Sequence, residues 1–478
     1  MSESPDLLGR RTLLGVLAAV PAVIVTGSAA HALSGARQSQ RNPAADLQVV
    51  DPGKVLASLR FGMFVHFNPS SVLGREISWG RQAYRPGESP AQQGDPSVKN
   101  DPVYDAAYRS FLPEKDWATK LVAAAKSAGM NYLVFTTKHH DGYPNFRADN
   151  VKQSFYSDFA ETPMGKSGRD LTREVADAVR AAGLKLGLYY SQRDWTQPDY
   201  VKADYTTYYG YMKEHLQQLL TESHYGKVDF LWYDSIPYTD IKPFNPPELI
   251  DAPRELQPGI LVNNRAYDTM GHQDVPKELI GDYDTPEQKI GGFNVTRPWE
   301  SCITITPPDW AWMPNHSVSD FATLVKSIAG TAVGDGNLLL NVGPMKTGYL
   351  EDNVTTVLKQ VGDWMGRYKH TIVGTRGGPY RSSEVGGSTY QGSTIYLHLT
   401  GGMRSVKLRL PRLNAKVKSI TDLDGTPVPF TADATGDLLL DLQRFTVDKV
   451  TQDYILQLTV DKPMSPEFVT DRAISWDS

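Results

Sequence analysis

From about residue 54 to residue 370, short apolar runs alternate with amphipathic ones. DWATKLVAAAKSAG (116–129) opens on Asp116, a candidate N-cap, and closes on Gly129, placed as a C′ residue. MNYLVFTTKHHDG follows it. DLTREVADAVRAAG (170–183) repeats the arrangement, with Leu171, Val175, Val179 and Ala182 on one helical face, and then gives LKLGLYYS. A tyrosine-rich helix is expected over about 204–224, and VDFLWYDS (228–235) comes after it. LRFGMFVHF (59–67), GILVNNR (259–265), LIGDYD (279–284), WESCITI (299–305) and NLLLNVGP (337–344) complete eight strand candidates. Several are apolar almost throughout, as parallel strands covered on both faces should be. Eight such strands alternating with helices predict an α/β fold, a (β/α)8-like barrel. A doubly wound sheet is the alternative, but no G-x-G-x-x-G follows the first strand.

After about 371 helical periodicity stops. STIYLHL, SVKLRL, DLLLDL and YILQLTV are short alternating runs between turn residues, which predicts a C-terminal antiparallel β-sandwich over 371–478. The other end is not part of the fold. Arg10-Arg11 precede an apolar run that leads to Ala30-His31-Ala32, the pattern of a signal peptide of twin-arginine type over 1–32. A polar linker is expected at 33–53, the barrel at 54–370. The destination read from this is secreted or periplasmic, with no membrane span in the mature chain.

Composition adds limits. The chain has 478 residues, 40% of them hydrophobic, and a net charge of −5, which gives no reason to expect nucleic acid or an anionic membrane as partner. Its one cysteine, Cys302, cannot make an intramolecular disulfide, so the core must stabilise the exported protein.

Active sites of such barrels lie at the carboxyl ends of the strands. Grouped there by this reading are His66, His139-His140, Tyr189-Tyr190, Trp232 with Asp234, Asn264 with Arg265, Asp284 with Glu287, and Trp299 with Glu300. Asp234 ends an otherwise apolar strand. A helix cap would be the bland explanation, but so many polar and aromatic groups at one rim favour a site. An arginine beside Asp234 would keep that carboxylate ionised, so Arg265 is a candidate for that task. A metal hydrolase would want H-x-H on the first strand, which here offers a lone His66, so no metal and no cofactor are expected. Glycoside hydrolysis wants two carboxylates in unlike environments within an aromatic cleft. Asp234 with Glu287 or Glu300 meets that need, and 24 tyrosines and nine tryptophans suit sugar stacking.

FGMFVHFN, KHHDGY, GLYYS with DW, LWYDS, VNNR, TPEQ and WESCITI with a following Trp-x-Trp occur in an order that resembles the α-L-fucosidases of glycoside hydrolase family 29. The resemblance covers barrel and sandwich. It implies a retaining double displacement on a fucosylated glycan or glycoside, with Asp234 as nucleophile and Glu287 or Glu300 as acid/base. Glu287, in a loop past a strand, is favoured over Glu300, which reads as lying inside strand 7. His66, Trp79, His139, His140, Tyr189, Trp232 and Arg265 are implied to bind fucose hydroxyls or support the nucleophile, and Trp310 to lie near the C5 methyl. Three positions differ from the family's pattern: Ser78 precedes Trp79 where an acid is usual, Ser235 follows the nucleophile, and Trp310-Ala311-Trp312 replaces WGY. Another retaining glycosidase acting on a 6-deoxy or neutral sugar, a metal-dependent barrel hydrolase and an inactive sugar-binding protein are the remaining alternatives.

Overall fold

The computed structural model describes residues 51–81, 101–147, 158–201, 205–234, 248–267, 275–276, 279–402, 404–444 and 453–477. The chain divides into two units, Met1–Asp46 and Leu47–Ser478. The first unit, with the expected signal peptide, lies outside the described residues, as does Ser235. The helix Pro52–Leu59, capped by Asp51 through the Lys54 N–H, begins inside the stretch assigned to the linker. No helix among the described residues is long and apolar enough to cross a membrane.

Seven parallel strands form one sheet: β1 (Phe61–Val65), β2 (Tyr132–Lys138), β3 (Lys185–Ser191), β4 (Phe230–Asp234), β5 (Leu261–Val262), β6 (Glu300–Thr304) and β7 (Asn337–Val342). Their order is β5-β4-β3-β2-β1-β7-β6. Side chains alternate between two cores, as the two-residue strand period requires. Met63, Val65, Leu133, Phe135, Leu188, Leu231 and Tyr233 pack outward in the core that holds the helical residues. Phe64, Tyr132, Val134, Tyr189, Phe230, Trp232 and Leu339 face inward, in a second core that runs from Leu56 to Trp310. Gly62 is required there, because a Cβ at that position would lie 2.5 Å from the Tyr132 ring.

The expected sixth strand at 279–284 is a correction. Only isolated bridges form, Asn263 with Tyr283, Asp284 with Trp299 and Glu287 with Cys302. They still close the ring between β5 and β6. The Asn264 N–H donates to the Tyr283 carbonyl at 2.9 Å, and the Glu300 and Cys302 N–H groups donate to Asp284 and Pro286 carbonyls at 2.8 and 3.0 Å. Gly281 at φ +75° and Pro286, which has no N–H to give, prevent a regular ladder. The least regular of the eight segments is thus the one that bears Glu287. A second correction concerns Asp116. It stands at the N-cap of the helix Trp117–Ser127 but makes no side-chain cap bond, accepting instead from the Tyr349 hydroxyl at 2.5 Å.

Among the described residues nine strands follow, five in one antiparallel sheet (β12-β15-β10-β9-β8) and four in another (β13-β14-β11-β16), with a core of their own. Here β8 is Arg376–Gly377, β9 Gly387–Gln391, β10 Thr394–Leu399, β11 Lys407–Leu410, β12 Val417–Asp422, β13 Phe430–Ala432, β14 Leu438–Asp441, β15 Tyr454–Val460 and β16 Ser475–Trp476. Asp335 bolts this region to the barrel. Its carboxylate takes Arg60 Nη2 at 2.6 Å, Arg376 Nη2 at 2.6 Å and the Gly377 N–H at 2.8 Å, and its side chain is 4% exposed. Removing one partner of a buried ion pair leaves the other charge uncompensated. Asp335→Asn, which tolerates the φ of +67° found there, is expected to lower stability by about 3 kcal/mol in denaturant titration. A loss below about 1 kcal/mol would show that the bolt does not hold the two regions.

Candidate active site

Asp234 is the last residue of β4, on the inward-facing row with Phe230 and Trp232. Tyr189 on β3 donates its hydroxyl to Asp234 Oδ2 at 2.8 Å, and Arg265 Nη1 donates to Oδ1 at 3.2 Å. His140 Nε2 stands 3.6 Å from Oδ2. Burial alone would raise the carboxyl, but Arg265, His140 and the tyrosine bond outweigh it and hold Asp234 below the ordinary aspartate value. It is an ionised carboxylate whose side chain is 15% exposed.

Arg265 lies on the 3-10 turn Asn264–Ala266 just past β5. Nε donates to Thr285 Oγ1 at 2.8 Å, and Nη2 to the Thr285 carbonyl at 3.0 Å and to Glu287 Oε2 at 2.9 Å. One guanidinium therefore touches both Asp234 and Glu287, while its carbon sits 4.6 Å from the Trp232 ring. Thr285 Oγ1 in turn donates to Asn264 Oδ1 at 2.8 Å, so the fork is fixed from behind.

Glu300 is elsewhere. It opens β6, at the amino end of the strand, so its grouping with the rim residues is corrected, along with that of Trp299. Its carboxyl is fully buried beneath Trp232, accepting from the Tyr132 hydroxyl at 2.6 Å and from Trp232 Nε1 at 3.2 Å. Burial pushes it up to about 7 against those two bonds. Between the ordinary glutamate value of 4.5 and about 7, the unfolded chain has shed a proton that the folded protein keeps. Stability therefore falls as pH rises through that window and levels off above it. Glu300→Gln should flatten this slope in denaturant midpoints, by about 3 kcal/mol at most. A slope unchanged in the variant would show that Glu300 does not carry it.

The three histidines converge. KHHDG leaves β2 at Lys138, so His139 and His140 both sit in the following turn, their ring centroids 4.2 Å apart. The buried Lys138 pairs with Asp194 at 3.4 Å, and the Trp195 N–H donates to the His140 carbonyl at 2.7 Å, joining the KHHDG and DW motifs. His139 Nδ1 meets Ser78 Oγ at 2.6 Å and its ring stacks on Tyr189; His140 Nδ1 meets Ser191 Oγ at 2.7 Å. His66, one residue past β1, has Nδ1 2.6 Å from Asn341 Oδ1. Burial lowers all three, His66 to about 4 and His140 to about 3, so they are neutral near pH 7. Trp310 lies 4.9 Å from the His66 ring, Tyr189 stacks on Trp232 at 5.6 Å, and Trp79 stands edge-on to His140 at 5.7 Å.

Ligand atoms of His139, His140 and Asp234 lie within 4.8 Å of one another. That Asp234 already has Arg265 as its countercharge makes the trio a poor cation site. Asp284 turns from the rim to Arg297 at 2.6 Å. A cavity of about 610 Å³ borders Asp284, Thr285 and Pro286, but none of Asp234, Arg265, Glu287 or the histidines lines it.

Sequence reasoning did not single out Ser191, Thr285, Asn341 or Glu76, and it noted Ser78 only as a departure from the family's pattern. Asn341 had a signal, since it is polar in an apolar strand at even spacing from Asn337 and Leu339. Glu76, in the loop after β1, had none. Its carboxyl, pushed up to about 7 by burial, accepts the backbone N–H groups of Trp310 and Ala311.

A parallel barrel with one ionised carboxylate and a second on the same guanidinium, rimmed by aromatics and neutral histidines, defines a glycoside-hydrolase type of site. The sequence pattern of the α-L-fucosidase family matches residues 29–370, and the chain belongs to that family. Tissue α-L-fucosidase of Homo sapiens is 28% identical over 333 residues, 64% of this chain and 66% of that protein. The Bos taurus tissue enzyme is 26% identical over 325 residues, 64% of this chain and 65% of its own length, so these matches span just under two-thirds of the relatives. Among solved structures, α-L-fucosidase isoenzyme 1 from Paenibacillus thiaminolyticus has 30% identity and a TM-score of 0.70, covering 85% of this chain and 98% of its own. A Bacteroides thetaiotaomicron α-L-fucosidase of family GH29, trapped as a covalent intermediate, shares the fold at 20% identity and a TM-score of 0.72, covering 85% of this chain and 95% of its own.

Proposed function

We propose that this chain is an exported, retaining exo-α-L-fucosidase that removes terminal α-L-fucosyl residues from glycans or glycosides. The observation that carries this reading is the shared guanidinium. Arg265 holds Asp234 and Glu287 on its two terminal nitrogens, on one side of the barrel mouth, while Glu300 is sealed in the interior.

In the first step the Asp234 carboxylate attacks the anomeric carbon as the bond to the aglycone oxygen breaks. Glu287 gives its proton to that oxygen, leaving a fucosyl ester on Asp234. In the second, the Glu287 carboxylate takes a proton from water, whose oxygen attacks the same carbon and frees Asp234. Two inversions give retention. The intermediate trapped in the Bacteroides thetaiotaomicron relative supports such an ester. His66, His139, His140, Tyr189, Trp79 and Arg265 supply donors and acceptors for the hydroxyls, Trp232 forms the floor, and Trp310 gives the C5 methyl an apolar wall.

Incubation with an aryl α-L-fucoside, with and without chelator, tests this. Release of the phenol in both arms, with the α-fucose anomer appearing first by NMR, is expected. Folded protein without turnover would overturn it, and loss of turnover with chelator would move the site to metal hydrolysis. For export, Arg10→Lys with Arg11→Lys should leave active enzyme inside the cell. Normal release of that variant would exclude the twin-arginine route.

A further inference from the structure

We propose that Glu76 and Asn341 are positioning residues that clamp Trp310 and His66 into a single wall and so set the preference for a sugar with no 6-hydroxyl; this rests on the fucoside reading above. Both backbone polar groups of Trp310 are held by side chains from other elements. Its N–H donates to Glu76 Oε2 at 2.8 Å, and its carbonyl accepts from Asn341 Nδ2 at 2.7 Å. Glu76 Oε1 takes the neighbouring Ala311 N–H at 3.1 Å and its own following Ile77 N–H at 2.9 Å. A loop outside any strand would leave such groups to water, where an aromatic side chain would wander.

Asn341 does a second task. With Nδ2 on a carbonyl it presents Oδ1 to His66, so the imidazole proton sits on Nδ1 and Nε2 keeps its lone pair. The wall thus offers an apolar indole and an acceptor nitrogen, with ring centroids 4.9 Å apart, as one unit. The following turn is fixed as well. Trp312 Nε1 donates to Glu351 Oε1 at 2.9 Å, and Gly343 packs so tightly on the backbone that a Cβ there would lie 2.3 Å from the Trp312 main-chain nitrogen. None of the hydrogen bonds of Glu76 or Asn341 reaches Asp234 or Glu287. Their effect on turnover runs through the wall. A wall held in place keeps His66 Nε2 for a ring hydroxyl and leaves only the indole for the C5 substituent, so an added 6-hydroxyl meets no partner there, whereas a loose wall yields to it.

The test uses the full chain with aryl α-L-fucoside and aryl α-L-galactoside, which differ only by the 6-hydroxyl. Glu76→Ala is expected to raise KM for the fucoside about tenfold, with kcat within about threefold, and to lower the fucoside-to-galactoside ratio of kcat/KM about tenfold. Glu76→Gln keeps one acceptor oxygen and should recover part of the ratio. Asn341→Ala should lower the ratio too, and it carries the test with Glu76→Gln if Glu76→Ala does not fold. An unchanged ratio in folded variants, or an equal fall in kcat on both sugars, overturns the clamp while leaving the fucoside reading intact. A native chain that hydrolyses neither sugar overturns both.

Discussion

Asp234→Ala is expected to lower kcat on aryl α-L-fucosides by about 10³-fold or more with the fold retained. The residue ends β4 in register with Ser191, its side chain on the inward row above Trp232, and among the described residues it is the one carboxylate held by Tyr189, Arg265 and His140 together. In the proposed mechanism, removing it takes away the atom that bonds to the anomeric carbon, and no other described group stands ready to replace it. Glu287 accepts from the same arginine, so Arg265 keeps a side-chain partner and the fold should not suffer as it would if both were lost. Azide, small enough to occupy the space vacated by the carboxylate, should restore turnover and give a fucosyl azide of inverted, β configuration. The checks are steady-state kinetics, a melting curve and NMR of the azide product. Turnover near the native value, or an α-azide from this variant, would remove Asp234 from the nucleophile's role.

How far this was legible beforehand follows from where the strands are regular. In VDFLWYDS the period of two already separates Phe230, Trp232 and Asp234 from Leu231 and Tyr233, and the two sets enter different cores. That spacing is local, so the sequence contains it. The sixth segment is another matter. LIGDYD has the apolar content of a strand, but Gly281, Pro286 and the ion pair of Asp284 with Arg297 reduce its ladder to bridges. The adjacent histidines would face opposite ways in a strand. They converge because β2 stops one residue earlier, which depends on the docking of Lys138 against Asp194. Glu300 shows the limit most clearly. WESCITI places it at the start of a strand, yet only the barrel's closure puts it under Trp232 and away from the mouth. In the sandwich the two-residue strands β8 and β16, the partly exposed β12 and the largely exposed β13 carry too little apolar period to be seen.

Glu287→Ala is expected to separate substrates by their leaving groups. A general acid matters most when the departing oxygen is a poor leaving group, and such catalysis contributes about 10²–10⁴-fold. Natural glycosides should lose about that factor in kcat/KM, whereas activated aryl fucosides, which depart unaided, should lose far less and then stall at hydrolysis of the ester. Glu287 has the position for this. It follows Pro286 in the irregular segment at the barrel mouth, its side chain is 31% exposed, and Arg265 fixes it beside Asp234. Glu300, with a fully buried side chain tied to Tyr132 and Trp232, cannot reach an aglycone oxygen without opening the barrel core. Azide should rescue Glu287→Ala by attacking the ester from the face water would use, giving an azide of retained, α configuration. A variant with equal losses on all leaving groups, or azide rescue of this kind in Glu300→Ala but not in Glu287→Ala, would exchange the two glutamates' roles. The opposite configurations expected from the two alanine variants make the pair decisive, because a misplaced nucleophile and a misplaced acid cannot both give the products expected here.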